Sequence, residues 1–112
     1  MLIAIPVEGG KLCAHFGHCS EFALIDVDQG RKSVNGVKTV EPPPHEPGVL
    51  PKWLASQGVG IVIAGGMGRR AQDLFSQAGI DVIVGAPSES PEAVARDYLN
   101  GTLSVGGNVC DH

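Results

Sequence analysis

The stretch VGIVIAGGMGRRAQDLFSQAG, residues 59–79, determines the fold class of this chain. Residues 59–64 form a continuous apolar run, which is typical of a strand buried on both faces. Residues 69–78 then place apolar side chains at helical spacing, and Gly79 is a helix stop signal. A buried strand, a glycine turn and a helix in this order predict an α/β domain.

The sequence on both sides of this stretch continues the α/β order. Residues 80–84 predict another buried strand, and Ser90 is a good N-cap for a helix over residues 91–100. Upstream, apolar residues at helical spacing predict a helix over residues 50–57. The proline-rich segment before this helix reads as a surface connection.

The N-terminal third predicts strands that follow one another without helices. Residues 2–7 and 21–27 are apolar runs, and residues 34–40 alternate partially after a turn at 28–30. Turns between successive strands imply at least one antiparallel strand. The connection over residues 7–21 has no helical or strand pattern. The whole order predicts a single α/β domain with a mixed sheet.

Composition and charge exclude several classes of function. The 112 residues are 43% hydrophobic and carry a net charge of −4. There is no basic cluster beyond Arg69-Arg70, and so no electrostatic footprint for nucleic acid or an anionic membrane. No run approaches the ~20 apolar residues of a spanning helix, and no signal-peptide pattern is present, so we expect a cytoplasmic protein. In that reducing compartment the three cysteines should be thiols or metal thiolates.

A ligand site is expected at one edge of the sheet. Parallel neighbouring strands end at the same edge, and open α/β sheets bind ligands there. That edge would receive three loops, over residues 8–20, 65–68 and 85–90.

The second of these loops is rich in glycine. Gly65, Gly66 and Gly68 follow a strand and precede a helix, so their N–H groups could meet an anion beside Arg69. The spacing is neither that of a P-loop nor that of a dinucleotide fingerprint. Close packing of the strand against the helix would also explain the glycines.

The first loop contains the segment CAHFGHC, which holds Cys13, His15, His18 and Cys19. Thiolate and imidazole are ligands for zinc, copper or an iron–sulfur species. The spacing is irregular, however, and lacks the paired C-x-x-C of a structural zinc site. The alternative is a buried Cys13, a surface His15 and a His18 that bonds the backbone across a Phe-Gly turn.

A second cluster of ligand types ends the chain. Residues 1–101 form the predicted domain, and residues 102–112 predict a flexible tail that ends in Cys110, Asp111 and His112. A glycine-rich tether gives this C-x-H motif the reach to fold over a neighbouring loop. An accidental, exposed tail is the alternative.

A thiol enzyme is the competing class of function. Cys13 or Cys19 would attack, and His15 or His18 would act as the base. Such a mechanism needs an orienting third group, and Asp111 is the only candidate.

Several segments together resemble a known family. The strand IAIPV, the segments HFGHCSEFALIDV and IVIAGGMGRRAQDLFSQAGIDVIVG, and the terminal CDH are similar to the dinitrogenase iron–molybdenum cofactor biosynthesis family. That family includes NifX and the C-terminal region of NifB. The resemblance implies a ribonuclease H-like domain with a mixed five-stranded sheet of order 3-2-1-4-5. Its second strand would be antiparallel, and three helices would flank the sheet.

The resemblance also implies a cofactor site formed by three matching motifs. The HFG motif of the family matches His15, Phe16 and Gly17. Its glycine turn matches Gly65, Gly66 and Gly68, and a tail found in its stand-alone members matches Cys110 and His112. Arg69 adjoins the second motif. Cys13 and Cys19 are less regular features of the family.

The function implied by the resemblance is that of a binder or carrier. We expect a non-enzymatic protein that carries an iron–molybdenum cofactor or its iron–sulfur precursors and meets a client or scaffold protein. The chemistry fits a polyanionic cluster, because a helix N-terminus meets negative charge and thiols or imidazoles bind iron. A zinc- or copper-binding regulatory module is the alternative among binding proteins.

Overall fold

A computed structural model describes residues 1–13, 20–43 and 49–106. Over these residues the chain forms six strands and three helices. In chain order they are β1 Leu2–Glu8, β2 Lys11–Leu12, β3 Glu21–Asp28, β4 Ser33–Val40, α1 Val49–Ser56, β5 Val59–Ile63, α2 Arg69–Gln77, β6 Asp81–Ile83 and α3 Pro91–Asn100.

All the strands belong to one mixed sheet of order β4-β3-β1-β5-β6. β3 is antiparallel to both β1 and β4, whereas β5 is parallel to β1 and β6 is parallel to β5. The predicted α/β domain with a mixed sheet and three helices is therefore confirmed. One expectation is wrong: the connection after β1 contains the short strand β2, which pairs antiparallel with the end of β1. Two residues are too few to show alternation in sequence.

Two apolar layers cover the sheet, one on each face. α1 and α2 pack Leu54 and Phe75 into the first layer, together with Ala4 of β1. α3 packs Val94 and Leu99 into the second layer. Successive β1 residues point to opposite faces, so the central strand contributes to both layers and is buried from residue 3 to residue 7.

The helix ends show which signals set their boundaries. Ser90 caps the start of α3, and its hydroxyl accepts the Ala93 N–H at 3.3 Å; Gly101 caps the other end with φ +71°. α2 follows Gly68 and has no side-chain cap. Because glycine has no side chain, the N-cap residue itself cannot accept from the N–H groups in the first turn of α2.

No helix among the described residues is both long and apolar enough to cross a bilayer.

Candidate functional site

Three loops meet at the edge where β1, β5 and β6 end. The Gly85 N–H donates to the Gly65 carbonyl oxygen at 2.6 Å, which joins the loop after β6 to the loop after β5. The Leu12 N–H donates to the Glu89 carbonyl oxygen at 2.9 Å, which joins the loop after β1 to the same loop. The expectation that these loops share one edge is confirmed. The loop after β6 is the central member of the group.

The glycine turn between β5 and α2 is tightly packed. Gly65, Gly66 and Met67 are buried, and Met67 belongs to the apolar layer under α1 and α2. The Gln72 amide group donates to the Met67 carbonyl oxygen at 2.9 Å and holds the turn against the helix. Close packing of strand and helix, the alternative explanation of these glycines, is thus part of their role. Gly68 is half-buried and is therefore the part of the turn that solvent reaches most easily.

The start of α2 carries two adjacent positive charges at this edge. Its first turn contains no acidic residue, and Arg69 and Arg70 are both exposed. Uncapped N–H groups carry the positive end of the helix dipole, and the two guanidinium groups add full charges beside it. The arrangement can attract an anion that approaches from solvent.

Cys13 lies at the same edge but faces the interior. Its side chain is 6% exposed and belongs to the same apolar layer as Met67. The Cys13 N–H donates to the Pro6 carbonyl oxygen at 2.8 Å, and its Sγ lies 3.9 Å from Oε2 of Glu8. The structure thus gives Cys13 the buried position of the alternative reading. A ligand role for this thiol stays a prediction.

The two Cys/His motifs supply most of the remaining predicted site residues. The following lie outside the described residues: His15, Phe16, Gly17, His18, Cys19, Cys110, Asp111 and His112. Among the residues that are described, no group of three or more His, Cys, Asp or Glu side chains could hold a metal ion. The predicted residues that the structure places at one edge are therefore Cys13, the glycine turn and Arg69.

Sequence reasoning assigned no role to Gly85. Its φ is +84°, and it bonds to the Gly65 turn on one side and to Gly106 on the other. The signal that could have found it is its position, since Gly85 ends a strand run just as Gly65 does. Beyond α3, in the segment 102–112 for which the sequence predicts a flexible tail, Leu103 packs against the second apolar layer.

The fold and the loop edge together define a small α/β domain in which three loops meet at one edge of a mixed sheet. Comparison with known proteins gives the family. A sequence model described as dinitrogenase iron-molybdenum cofactor matches residues 1–101. The chain belongs to this family.

Individual relatives are similar to this chain over nearly its whole length. The chain is 29% identical to MJ0580, an uncharacterized protein of Methanocaldococcus jannaschii, over 92% of this chain and 89% of that protein. The crystal structure of PH0822 is 32% identical, with a TM-score of 0.84 over 95% of this chain and 96% of that one. The apo form of the orange protein from Desulfovibrio gigas shares the fold at 22% identity, with a TM-score of 0.72 over 96% and 93% of the two chains.

Proposed function

We propose that this protein binds an iron–molybdenum cofactor or an iron–sulfur precursor of it at the loop edge and delivers it to a client or scaffold protein. It acts as a carrier and not as an enzyme. The single observation behind the proposal is the junction of three loops at one edge, in a chain of this family. We also propose that the sheet is of the ribonuclease H-like type, which its order and its antiparallel β3 support.

The described part of the edge suits a negatively charged cargo. A metal–sulfur cluster is a polyanion, and the exposed Arg69 and Arg70 beside an uncapped helix start oppose that charge. Because the whole protein carries a net charge of −4, this local positive charge is not a property of the surface in general. It directs an anion to the edge.

The cluster ligands would come from the two Cys/His motifs of the sequence. In this proposal His15, His18 and Cys19 serve from the loop after β2, and Cys110 and His112 serve from the C-terminus. Iron accepts thiolate and imidazole ligands. Cys13 would have to leave its buried position to take part, so it is the weakest member of the set.

A set of ligands from two chain segments suits transport. A carrier must hold its cargo and then release it to the next protein, and ligands on separate segments can leave one at a time. Thiolates and a cluster of this kind also need a reducing compartment, which supports the expected cytoplasmic location.

Anaerobic reconstitution with iron and sulfide tests the proposal. The wild-type chain should take up iron and acid-labile sulfide together and develop the visible absorption of a cluster. Cys19→Ser and Cys110→Ser should each lower the uptake, and the double variant should lower it further. Cys13→Ala should change it least, because that thiol is buried in an apolar layer.

Other outcomes would point to the alternatives. Equal and negligible uptake by the wild type and the Cys19→Ser/Cys110→Ser variant would contradict the proposal. Stoichiometric zinc or copper without sulfide would indicate a regulatory metal-binding module. A single thiol that is alkylated far faster than the others at neutral pH would indicate a thiol enzyme. The burial of Cys13 does not favour that last result.

A further inference from the structure

Residues 101–106, which follow α3, meet the loop after β6 at Gly106. The Gly106 N–H donates to the Gly85 carbonyl oxygen at 2.7 Å. A Cβ atom on Gly85 would overlap the Gly106 carbonyl oxygen and lie 2.9 Å from the Gly106 nitrogen. The Gly85 φ of +84° also lies in the region that favours glycine. Residue 85 must therefore be glycine for the two backbones to touch.

The segment reaches this contact along the side of the domain. The Thr102 N–H donates to the Asp97 carbonyl oxygen at 2.8 Å, just after α3 ends. Leu103 is half-buried against the second apolar layer, near Ile83 of the edge strand β6. Residues 102–106 are thus attached to the domain at their start, near their middle and at Gly106.

The contact is linked directly to the candidate site. Gly106 bonds to Gly85, and Gly85 in turn bonds to the carbonyl oxygen of Gly65. A continuous path of two backbone hydrogen bonds therefore runs from the C-terminal segment to the glycine turn. Gly106 is docked on the same edge that receives the three loops.

We propose that Gly85 is a positioning residue for the terminal motif Cys110, Asp111 and His112. By admitting Gly106 to the loop edge, Gly85 confines the motif to the neighbourhood of the glycine turn. The proposal rests on the proposed function, because it concerns how the second ligand motif reaches the same site.

Chain length sets the size of the effect. Cys110 follows Gly106 by four residues. An extended chain of that length spans roughly 14 Å, so the Cα of Cys110 can lie no farther than this from the Cα of a docked Gly106. If Gly106 were released, Leu103 would be the next attachment point, seven residues before Cys110, and the reach would grow to roughly 25 Å. The local concentration of the Cys110 thiol at the edge should then fall about two- to fivefold.

A disulfide-trapping assay on the full chain measures this concentration without any metal. Cys13→Ala and Cys19→Ser leave Cys110 as the native thiol, and Ser88→Cys adds an exposed partner in the loop that contains Gly85. Oxidised glutathione starts the reaction, and the rate of the intramolecular disulfide is measured. Gln29→Cys in place of Ser88→Cys puts the partner in the exposed turn between β3 and β4, where pairing should be much slower.

The matched pair Gly85→Ala and Gly79→Ala separates the collision from backbone strain. Gly79 has φ +79°, close to that of Gly85, but an added Cβ there meets nothing within 4 Å. Both variants bear the strain of a positive φ, and only Gly85→Ala blocks Gly106. We expect Gly85→Ala to slow disulfide formation about two- to fivefold and Gly79→Ala to keep the rate of the parent chain.

A second pair tests the contact from the other side. An added Cβ on Gly106 would lie 3.8 Å from the Gly85 carbonyl oxygen, an ordinary contact, so Gly106→Ala should keep the rate. Gly106→Pro removes the N–H that donates to Gly85 and should slow the reaction. This pair leaves residue 85 unchanged, so it tests whether the Gly106–Gly85 contact positions Cys110 even if Gly85→Ala does not fold.

Equal rates for Gly106→Ala and Gly106→Pro, or for Gly79→Ala and a folded Gly85→Ala, would overturn the proposal. The assay contains no iron or sulfide, so its result is independent of cluster uptake. A chain that fails to bind a cluster but shows the expected rates would contradict the proposed function alone.

Discussion

The two halves of the sheet are built differently on either side of β1. On one side β3 and β4 form a hairpin of two strands of eight residues each, joined by a short turn. On the other side β5 and β6 have only five and three residues, and α2 connects them. Long antiparallel strands satisfy their backbone groups within a local hairpin, whereas parallel strands need crossover connections. The hairpin half is thus mainly scaffold, and the parallel half supplies two of the three loops of the site.

The halves nevertheless share one core. Phe22 of β3 and Phe75 of α2 are both fully buried in the same apolar layer. Phe22 also meets Trp53 of α1 edge to face, with ring centroids 6.0 Å apart. The two halves differ in architecture, but because they share one core they need not be two separate folding units.

The largest loss of stability is expected when either buried phenyl ring is removed. Phe22→Ala and Phe75→Ala should each lower the free energy of unfolding by about 3–5 kcal/mol, because each leaves a cavity in a fully buried layer. Urea unfolding should be followed by circular dichroism and by the fluorescence of Trp53, the single tryptophan. The two probes should give one coincident transition in both variants. Separate transitions would show that the halves unfold independently.

A smaller effect is expected at the start of α3. Ser90→Ala removes the hydroxyl that accepts the Ala93 N–H and should cost about 1 kcal/mol of unfolding free energy. Ser88→Ala is the matched control, since Ser88 is exposed in the same loop and does not cap the helix. Urea midpoints at constant slope measure both. A loss of equal size in the two variants would contradict the capping role.

A change of charge at the loop edge should affect binding more than stability. Arg69→Gln should weaken cluster uptake by up to about fivefold, since an exposed pair of opposite charges contributes about 0.2–1 kcal/mol. Arg31→Gln, which changes an exposed arginine in the turn of the hairpin half, is the matched control and should leave uptake unchanged. Iron and sulfide analysis after reconstitution checks both variants. Equal weakening would indicate a general effect of net charge.

The smallest effect is expected on the outer strand of the hairpin. Val37 is 49% exposed on β4, so Val37→Thr should change the free energy of unfolding by no more than about 0.5 kcal/mol. The same urea titration measures it. A loss above 1 kcal/mol would mean that this face of β4 is covered in solution, for example by a second copy of the chain.

Prediction from sequence worked best where a pattern repeats within a short window. The apolar run of β5, the helical spacing of α2 and the capping residues Ser90 and Gly101 predict elements that the structure contains. It failed for β2, because two residues cannot show a period. The packing of Leu103 against the second apolar layer could not be predicted from the sequence either, because it depends on residues distant in sequence.

The sequence by itself determined the kind of domain and the types of side chain that are available to bind a metal, because both depend on residue chemistry and local spacing. The tertiary structure alone decided which residues meet. It buried Cys13 and joined Gly65 to Gly85 and Gly85 to Gly106. The two glycine contacts are backbone hydrogen bonds between residues about 20 positions apart, and no pattern of side chains in the sequence predicts them. A missing Cβ is the only trace that such a contact leaves in the sequence.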